Sequence, residues 1–353
     1  MEWVSPEKLA EVAAEARERW NVPGLAVGVL RDGEIVTAAD GQQELGRPER
    51  VTPETVFRIA SITKPFTATL AMTLVQEGLL ALDEPPPGTH IEATVRQLLS
   101  HQAGLAAEWP EPLGLASTGF EAADPARGHE QVEPGADDHA PAGTWYPPGR
   151  TASGGLWSSV PDLLRFAQHH LGAAGPLTPS SVAEMQRACS SGPGFRYGLG
   201  WFLKGRQGHN AVEHPGSVLG FQLLLTLVPQ ERVAFASLTN SSRGFAAIRD
   251  MLREIGLGDD EPPIVESADL ARLAGRYRGQ ESVVELTPED GVLRVERTEI
   301  DPFSQEATVL PTVRARPIGE SEFEIVDGEW RGEQFDFPRP GFVCMDLRLL
   351  KAE

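Results

Sequence analysis

The chain has 353 residues and a net charge of -20, from 51 acidic and 31 basic side chains. Its hydrophobic content of 41% is sufficient for a large core and a second domain. The negative charge disfavours nucleic acid and anionic membrane surfaces as partners, because both would repel it, and a solvated acidic surface is the simpler interpretation. The two cysteines, Cys189 and Cys344, are far apart in sequence, which excludes a disulfide framework and predicts reduced thiols.

The start of the chain lacks the charged and then apolar pattern of a signal peptide, because MEWVSPE leads into a predicted helix. The sequence contains no run of about 18 apolar residues, the length that would span a membrane. We therefore expect a cytoplasmic protein.

The first predicted elements are a helix and a hairpin. Ser5-Pro6-Glu7 has the pattern of an N-cap followed by proline, and the helix continues to about Trp20. An apolar strand follows over 24–30, and the turn signal Arg31-Asp32-Gly33 separates it from a return strand over 34–38. Such a hairpin would begin an antiparallel sheet.

A Ser-x-x-Lys tetrapeptide opens the next predicted helix, in the stretch FRIASITKPF at 57–66. Positions three apart share a helix face, so the Lys64 amine should lie beside the Ser61 hydroxyl. A serine becomes a good nucleophile when a neighbouring base takes its proton, and a lysine does this when its surroundings leave it neutral. Taken alone, the tetrapeptide is weak, and a surface Ser and Lys at a helix start are the better explanation of it.

The remaining elements up to residue 257 alternate between helices and apolar strands. They are a short helix at 93–100, a helix ending near 171, a helix at 178–187, strands at 197–201, 221–228 and 233–238, and a helix at about 245–255.

Five segments together resemble the serine β-lactamase-related hydrolases, a family that includes class C β-lactamases, D-aminopeptidases, penicillin-binding-protein-like peptidases and family VIII esterases. The resemblance extends from about Val22 to about Leu257. It implies an α+β fold in which helices flank an antiparallel sheet, with an abbreviated helical subdomain. The segments are FRIASITKPF (57–66), LLSHQAGL (98–105), SGGLWSSVPDLLRF (153–166), YGLGW (197–201) and EHPGS (213–217).

The resemblance also implies roles for particular residues. Ser61 would be the acylated nucleophile and Lys64 its base. His214 and Gly216 match the family's third motif, H-x-G, in which a cationic or polar residue holds a substrate carboxylate or carbonyl. The backbone N–H groups of Ser61 and Ser217 would form the oxyanion hole. A satisfied structural histidine is the alternative for His214.

One motif of the family is missing from this sequence. Typical members carry Y-x-N in several dozen residues between the H-x-x-G-L turn and a P-L-G-M-x-x-T segment, and its tyrosine is the expected proton shuttle. Here only residues 106–110 separate the turn from EPLGLAST at 111–118. Tyr146, in PAGTWYPP, is a candidate replacement, although Pro148 occupies the place of the motif's asparagine. A loop aromatic is the alternative for Tyr146, and Tyr197 and Tyr277 match segments without a catalytic role.

A second domain is expected after the hydrolase domain, which we assign to residues 1–257. The acidic, proline-containing stretch 258–267 reads as a linker. Residues 268–353 have the alternation of short strands, with hairpin turns at Asp290-Gly291 and Asp327-Gly328, and LAGRY at 273–277 resembles the opening of a small β-barrel domain appended to some of these hydrolases. We therefore expect a small all-β, barrel-like domain.

Three functions are consistent with these patterns. The first is a serine hydrolase that forms an acyl-enzyme on Ser61, acting on small esters, with D-amino-acid peptides and β-lactams also fitting the scaffold. The second is a catalytically impaired or inactive binding protein that kept the scaffold after losing Y-x-N. The third is a purely structural role, which no motif favours. We expect a small-molecule substrate, no cofactor and, from the spacing of Cys and His, no metal; the sequence leaves the oligomeric state open.

Overall fold

A computed structural model describes most of the chain, and contacts within it divide the protein into two compact units. The first unit comprises Met1–Glu130, His139–Ser191 and Phe195–Asp259, and the second comprises the rest. This division falls within the expected linker at 258–267, whose bounds stay a prediction. The described residues are 4–100, 118–122, 124–131, 138–143, 151–192, 195–218, 220–258, 270–279, 282–300, 306–318, 322–328, 334–339, 342–345 and 348–353.

The chain up to residue 258 contains helices that alternate with strands. The helices are α1 Pro6–Arg19, α2 Thr63–Gln76, α3 Val95–Leu99, α4 Thr151–Gly154, α5 Val160–His170, α6 Pro179–Met185 and α7 Gly244–Glu254, with 3₁₀ turns at Ala60–Ile62 and Pro229–Glu231. The strands are β1 Gly24–Arg31, β2 Glu34–Gly41, β3 Phe57–Arg58, β4 His129–Gln131, β5 His139–Pro141, β6 Trp157–Ser158, β7 Ser190–Gly192, β8 Phe195–Tyr197, β9 Phe202–Arg206, β10 His209–Val218, β11 Phe221–Val228 and β12 Val233–Thr239.

An eight-stranded sheet organises this part of the protein, in the order β2-β1-β12-β11-β10-β9-β8-β7. The ladders that join neighbouring strands from β2 to β8 are antiparallel. Its first hairpin turns at Asp32 and Gly33, whose φ angles of 51° and 93° are those of a two-residue turn that matches the twist of the strands. The predicted α+β architecture with an antiparallel sheet is confirmed.

Helices cover both faces of the sheet and divide its apolar residues into two cores. One core packs α2 and α5 against one face, and the other packs α1 and α7 against the opposite face. Strand β1 is buried along most of its length, which explains its continuous apolar sequence. At Gly28 an added Cβ would lie 2.6 Å from Val160 and 2.7 Å from Leu164, so glycine allows α5 to approach β1 closely.

The second unit contains a β-sheet whose pairings close on themselves. The order β14-β13-β21-β20-β19-β18-β17-β15 returns to β14 through the β14–β15 ladder, with β16 added beside β15. Its core contains Tyr277, Phe323 and Phe335 among other apolar side chains. The predicted barrel-like β region is therefore confirmed. Its elements are α8 Leu270–Leu273, β13 Gly275–Arg278, β14 Ser282–Glu289, β15 Val292–Ile300, β16 Ala307–Val309, β17 Val313–Pro317, β18 Glu322–Ile325, β19 Gln334–Arg339, β20 Phe342–Met345 and β21 Arg348–Ala352.

Two expectations concern parts of the chain that the structure describes incompletely. The shortening of the helical subdomain falls on 106–151, most of which lies outside the described residues. Among the helices that are described, none combines the length and the apolar character needed to cross a membrane.

A fully buried histidine ends α5. Thr69 Oγ1 donates to the Pro65 carbonyl at 2.8 Å, so it accepts from His170 Nε2 at 3.0 Å. His170 Nδ1 then carries the lone pair and has no hydrogen-bond partner within the described ranges. Burial, with a smaller contribution from His169, lowers the pKa of His170 from 6.5 to about 3. The folded protein therefore holds this buried ring neutral.

We predict that His170 makes the protein sensitive to acid. The unfolded chain binds this proton below about pH 6.5 and the folded chain only near pH 3, so the free energy of unfolding falls as the pH drops through that window. Between pH 7 and pH 5 the loss from this residue is about 2 kcal/mol. In His170→Gln, denaturant unfolding at the two pH values should give a correspondingly smaller difference.

His90→Gln, which replaces an exposed histidine, is the matched control. An unchanged pH dependence in His170→Gln would contradict the assignment.

Candidate active site

Ser61 lies on a turn with an unusual backbone. The 3₁₀ turn Ala60–Ile62 leads directly into α2 at Thr63, so the serine precedes the α-helix that the sequence predicts it to open. The preceding Ala60 has a φ of 47°, in the left-handed region, where a side chain costs of order 1 kcal/mol. Backbone strain of this kind at a nucleophile's neighbour is typical of functional sites.

Lys64 lies beside Ser61, as the spacing predicts. Its Nζ is 2.8 Å from Ser61 Oγ, and it also donates to the Ser153 carbonyl oxygen at 3.1 Å. Both side chains are half-buried. The contact brings a base within reach of the hydroxyl proton, while the catalytic roles of the two residues stay a prediction.

The segment around Ser153 is attached to the start of α2 by further hydrogen bonds. Thr67 Oγ1 donates to the Ala152 carbonyl at 2.6 Å, and the Leu156 N–H donates to Thr63 Oγ1 at 3.2 Å. The Ile59 N–H donates to the Leu156 carbonyl at 2.9 Å. The carbonyl that holds Lys64 is therefore fixed on the same framework as the serine.

The end of β10 packs against the turn that carries Ser61. A Cβ added at Gly216 would lie 2.5 Å from the Ile59 carbonyl oxygen and 3.4 Å from Ala60 Cβ, so only glycine allows this approach. Ser217 follows, with an exposed side chain. The structure thus brings the third-motif residues Gly216 and Ser217 next to the turn that carries Ser61.

His214 is turned into the protein. Its side chain is 2% exposed, with Nε2 at 3.0 Å from the Tyr197 hydroxyl and Nδ1 at 2.7 Å from the Pro215 carbonyl. Both ring nitrogens thus have partners inside the protein, whereas the motif predicts a group that faces a substrate.

Tyr197 is the residue that contacts His214 Nε2, a contact that the sequence did not predict. Its side chain is 0% exposed, and burial raises its pKa well above the usual range of a phenol, so it stays protonated. The Phe202 ring packs edge-on against both Tyr197 and His214, with centroids 4.7 and 5.2 Å away. Only the alignment of β8, β9 and β10 in the sheet brings Tyr197 and His214 together, so no local sequence signal would have identified the pair.

Tyr146, the candidate replacement for the missing proton shuttle, lies outside the described residues. Among the residues that the structure describes, no group of three or more His, Cys, Asp and Glu side chains could hold a metal ion.

Comparison with known proteins identifies the class. The Beta-lactamase family model matches residues 9–113 and 108–258. The chain therefore belongs to the β-lactamase family, and the resemblance seen in its motifs is confirmed.

Two relatives and one solved structure illustrate which proteins the chain is similar to. The chain is 36% identical over 104 residues to penicillin-binding protein 4 of Amycolatopsis lactamdurans, covering 26% of this chain and 27% of that protein. It is 39% identical over 104 residues to esterase EstB of Burkholderia gladioli, covering 25% and 26%. The solved structure of SurE superposes with a TM-score of 0.68 at 21% identity, covering 99% of both chains, which supports the fold alone.

These alignments cover about a quarter of the length of the two curated relatives. The match to the family model, which extends over most of residues 9–258, is what establishes the family.

We predict that Gly216→Ala disturbs the candidate site. The added methyl group would meet the Ile59 carbonyl oxygen, a backbone atom that cannot swing away, so β10 and the Ser61 turn must separate. We expect destabilisation of about 1–3 kcal/mol, typical of overpacking, and slower reaction of Ser61 with a fluorophosphonate. Thermal unfolding and intact-mass spectrometry measure the two effects.

Gly143→Ala is the control, since a Cβ there meets no atom of the described residues within 4 Å. Wild-type stability and labelling in Gly216→Ala would show that the close approach has no consequence.

Proposed function

We propose that this protein is a serine hydrolase that forms an acyl-enzyme on Ser61, chiefly from small esters. The observation that carries the proposal is the 2.8 Å separation between Ser61 Oγ and Lys64 Nζ. Membership of the β-lactamase family supports it, as does the naming of one relative as an esterase.

Acylation begins with a proton transfer. Neutral Lys64 takes the hydroxyl proton of Ser61, and the Oγ attacks the carbonyl carbon of the substrate. The Ser153 carbonyl, 3.1 Å from Nζ, orients the lysine during this step. The negative charge that develops on the substrate oxygen is stabilised by the backbone N–H groups of Ser61 and Ser217, close to which Gly216 brings β10.

The leaving group and water complete the cycle. Lys64 returns its proton to the departing alkoxide, which leaves as an alcohol. Neutral Lys64 next accepts a proton from water as the water attacks the acyl carbon, and this proton returns to Ser61 Oγ when the acid leaves. One lysine thus acts as base and acid in both halves of the reaction.

The leaving group decides which substrates this arrangement serves. An amide nitrogen must be protonated before it leaves, whereas an activated phenolate leaves with little assistance. Without the tyrosine of Y-x-N, esters are therefore favoured over β-lactams and D-amino-acid peptides. The same absence supports the second candidate, an inactive binding protein that has kept the scaffold without the chemistry.

We predict that Ser61 alone reacts with a biotinylated fluorophosphonate. Ser61→Ala should lose all labelling while it keeps the wild-type circular dichroism spectrum. Lys64→Met should label at least about 100-fold more slowly than the wild type, because general-base assistance contributes about this much at the lower end of its range. Intact-mass spectrometry and peptide mapping measure both.

Two matched controls accompany these variants. Ser180→Ala changes an exposed serine at the start of α6, and Lys8→Met changes an exposed lysine of α1. Both should label like the wild type. Labelling that persists in Ser61→Ala would refute the assignment, and an unlabelled but folded wild type would favour the binding protein.

We predict slow hydrolysis of short p-nitrophenyl esters and almost none of β-lactams such as nitrocefin. The expected difference in kcat/KM is about a hundred- to ten-thousand-fold, the usual contribution of a general acid. Tyr146→Phe should leave ester turnover unchanged if Lys64 works alone, with Tyr277→Phe in the second unit as the matched control. Efficient β-lactam turnover that is lost in Tyr146→Phe would instead establish Tyr146 as the proton shuttle.

A further inference from the structure

The contacts of His214 define its protonation state. A carbonyl oxygen only accepts hydrogen bonds, so the 2.7 Å contact with the Pro215 carbonyl places a proton on Nδ1. In the neutral ring the second nitrogen, Nε2, then carries a lone pair and accepts a hydrogen bond. Tyr197, which is fully buried and protonated, donates its hydroxyl to that lone pair at 3.0 Å.

The surroundings of the ring favour this neutral form. His214 is 2% exposed and is enclosed by the rings of Tyr197 and Phe202, so a positive charge would be costly there. The neighbouring carboxylate, Glu213, points to the other face of the sheet because side chains alternate along a strand. It accepts from Arg206 Nε at 2.6 Å, and its charge is therefore already compensated.

The position of His214 relates this state to the candidate site. His214 and Gly216 are two residues apart on β10 and share a face of the sheet. That face packs on the Ile59 carbonyl and on Ala60, directly before Ser61. The charge of His214 therefore affects which substrates can bind beside Ser61.

We infer that Tyr197 is a positioning residue that holds His214 uncharged and turned inward, so that His214 offers no positive charge and the site takes uncharged acyl groups in preference to carboxylate-bearing ones. This inference rests on the proposed function and specifies its substrate class. The net charge of -20 acts in the same direction at long range, since it repels anionic substrates.

The first test observes the ring without requiring turnover. The full chain is labelled with ¹⁵N-histidine, and long-range ¹H–¹⁵N correlation spectra are recorded at pH 7, with the His214 signals assigned by their loss in His214→Gln. We expect the pattern of a neutral ring protonated at Nδ1. A ring protonated at Nε2, or at both nitrogens, would overturn the inference.

The second test compares two esters that differ in one terminal group, which is charged in one ester and uncharged in the other. In mono-p-nitrophenyl adipate a carboxylate replaces the terminal methyl group of p-nitrophenyl hexanoate. We expect kcat/KM to be about tenfold higher for the hexanoate, mainly through KM, and the preference to persist at about 0.5 M salt, where surface charge is screened. Equal kcat/KM values, or a preference that vanishes in salt, would refute the role of His214.

Tyr197→Phe removes the donor while keeping the ring. It should change the His214 spectrum and reduce the preference for the uncharged ester by about threefold or more, because the buried nitrogen loses its partner. Tyr277→Phe is the matched control, since that buried hydroxyl donates to the Leu273 carbonyl in the second unit. An unchanged spectrum and preference in Tyr197→Phe would exclude the positioning role.

The two tests separate this inference from the proposed function. An active hydrolase with charged or Nε2-protonated His214 keeps the function and refutes the inference. If the protein is inert and His214 is protonated at Nδ1 alone, the proposed hydrolase function and its substrate class are both refuted. The protonation state inferred for the ring is then confirmed.

Discussion

The contact between Ser61 Oγ and Lys64 Nζ requires a long, flexible side chain to be held in one place, and most of the described site serves that requirement. A free lysine stem loses up to about 2 kcal/mol of conformational freedom when it is fixed. The Ser153 carbonyl holds the amine end, and hydrogen bonds from Thr67 and to Thr63 attach that segment to α2. Ser61 and Lys64 thus share one hydrogen-bonded framework. In the proposed acylation, such a framework reduces the ordering needed when a substrate arrives.

Strand β10 is the second part of this framework, and it is fixed from both faces. On one face Gly216 packs on the Ser61 turn. On the other, the buried pair Arg206–Glu213 joins β9 to β10, and Arg206 also donates to the Leu257 carbonyl just after α7. Buried ion pairs add little net stability, but breaking one leaves an uncompensated charge, so their main effect is to disfavour other arrangements. The position of β10 relative to the Ser61 turn is therefore strongly specified.

The pair Tyr197–His214 changes how the third motif, H-x-G, is interpreted. From the sequence, its histidine is expected to be a polar group that a substrate can contact. Here the ring nitrogens bind Tyr197 and Pro215, and Gly216 is the residue of the motif that packs on the Ser61 turn. We infer that the buried motif of this protein disfavours a charged substrate, because burial disfavours the protonated form of the ring.

The sequence by itself determined the local features: the helix over α1, the Asp32-Gly33 hairpin, the apolar strands, the barrel-like strand region, and the neighbouring positions of Ser61 and Lys64, which are fixed by a spacing of three residues. Only the tertiary structure decided the contacts between distant segments, namely Ser153 with Lys64, Gly216 with Ile59, and Tyr197 with His214. These depend on the order of strands in the sheet and on how closely backbones approach, and neither leaves a periodic signal in the residues concerned. A motif fixes which groups are present, whereas packing fixes their exposure and protonation, and these decide the chemistry.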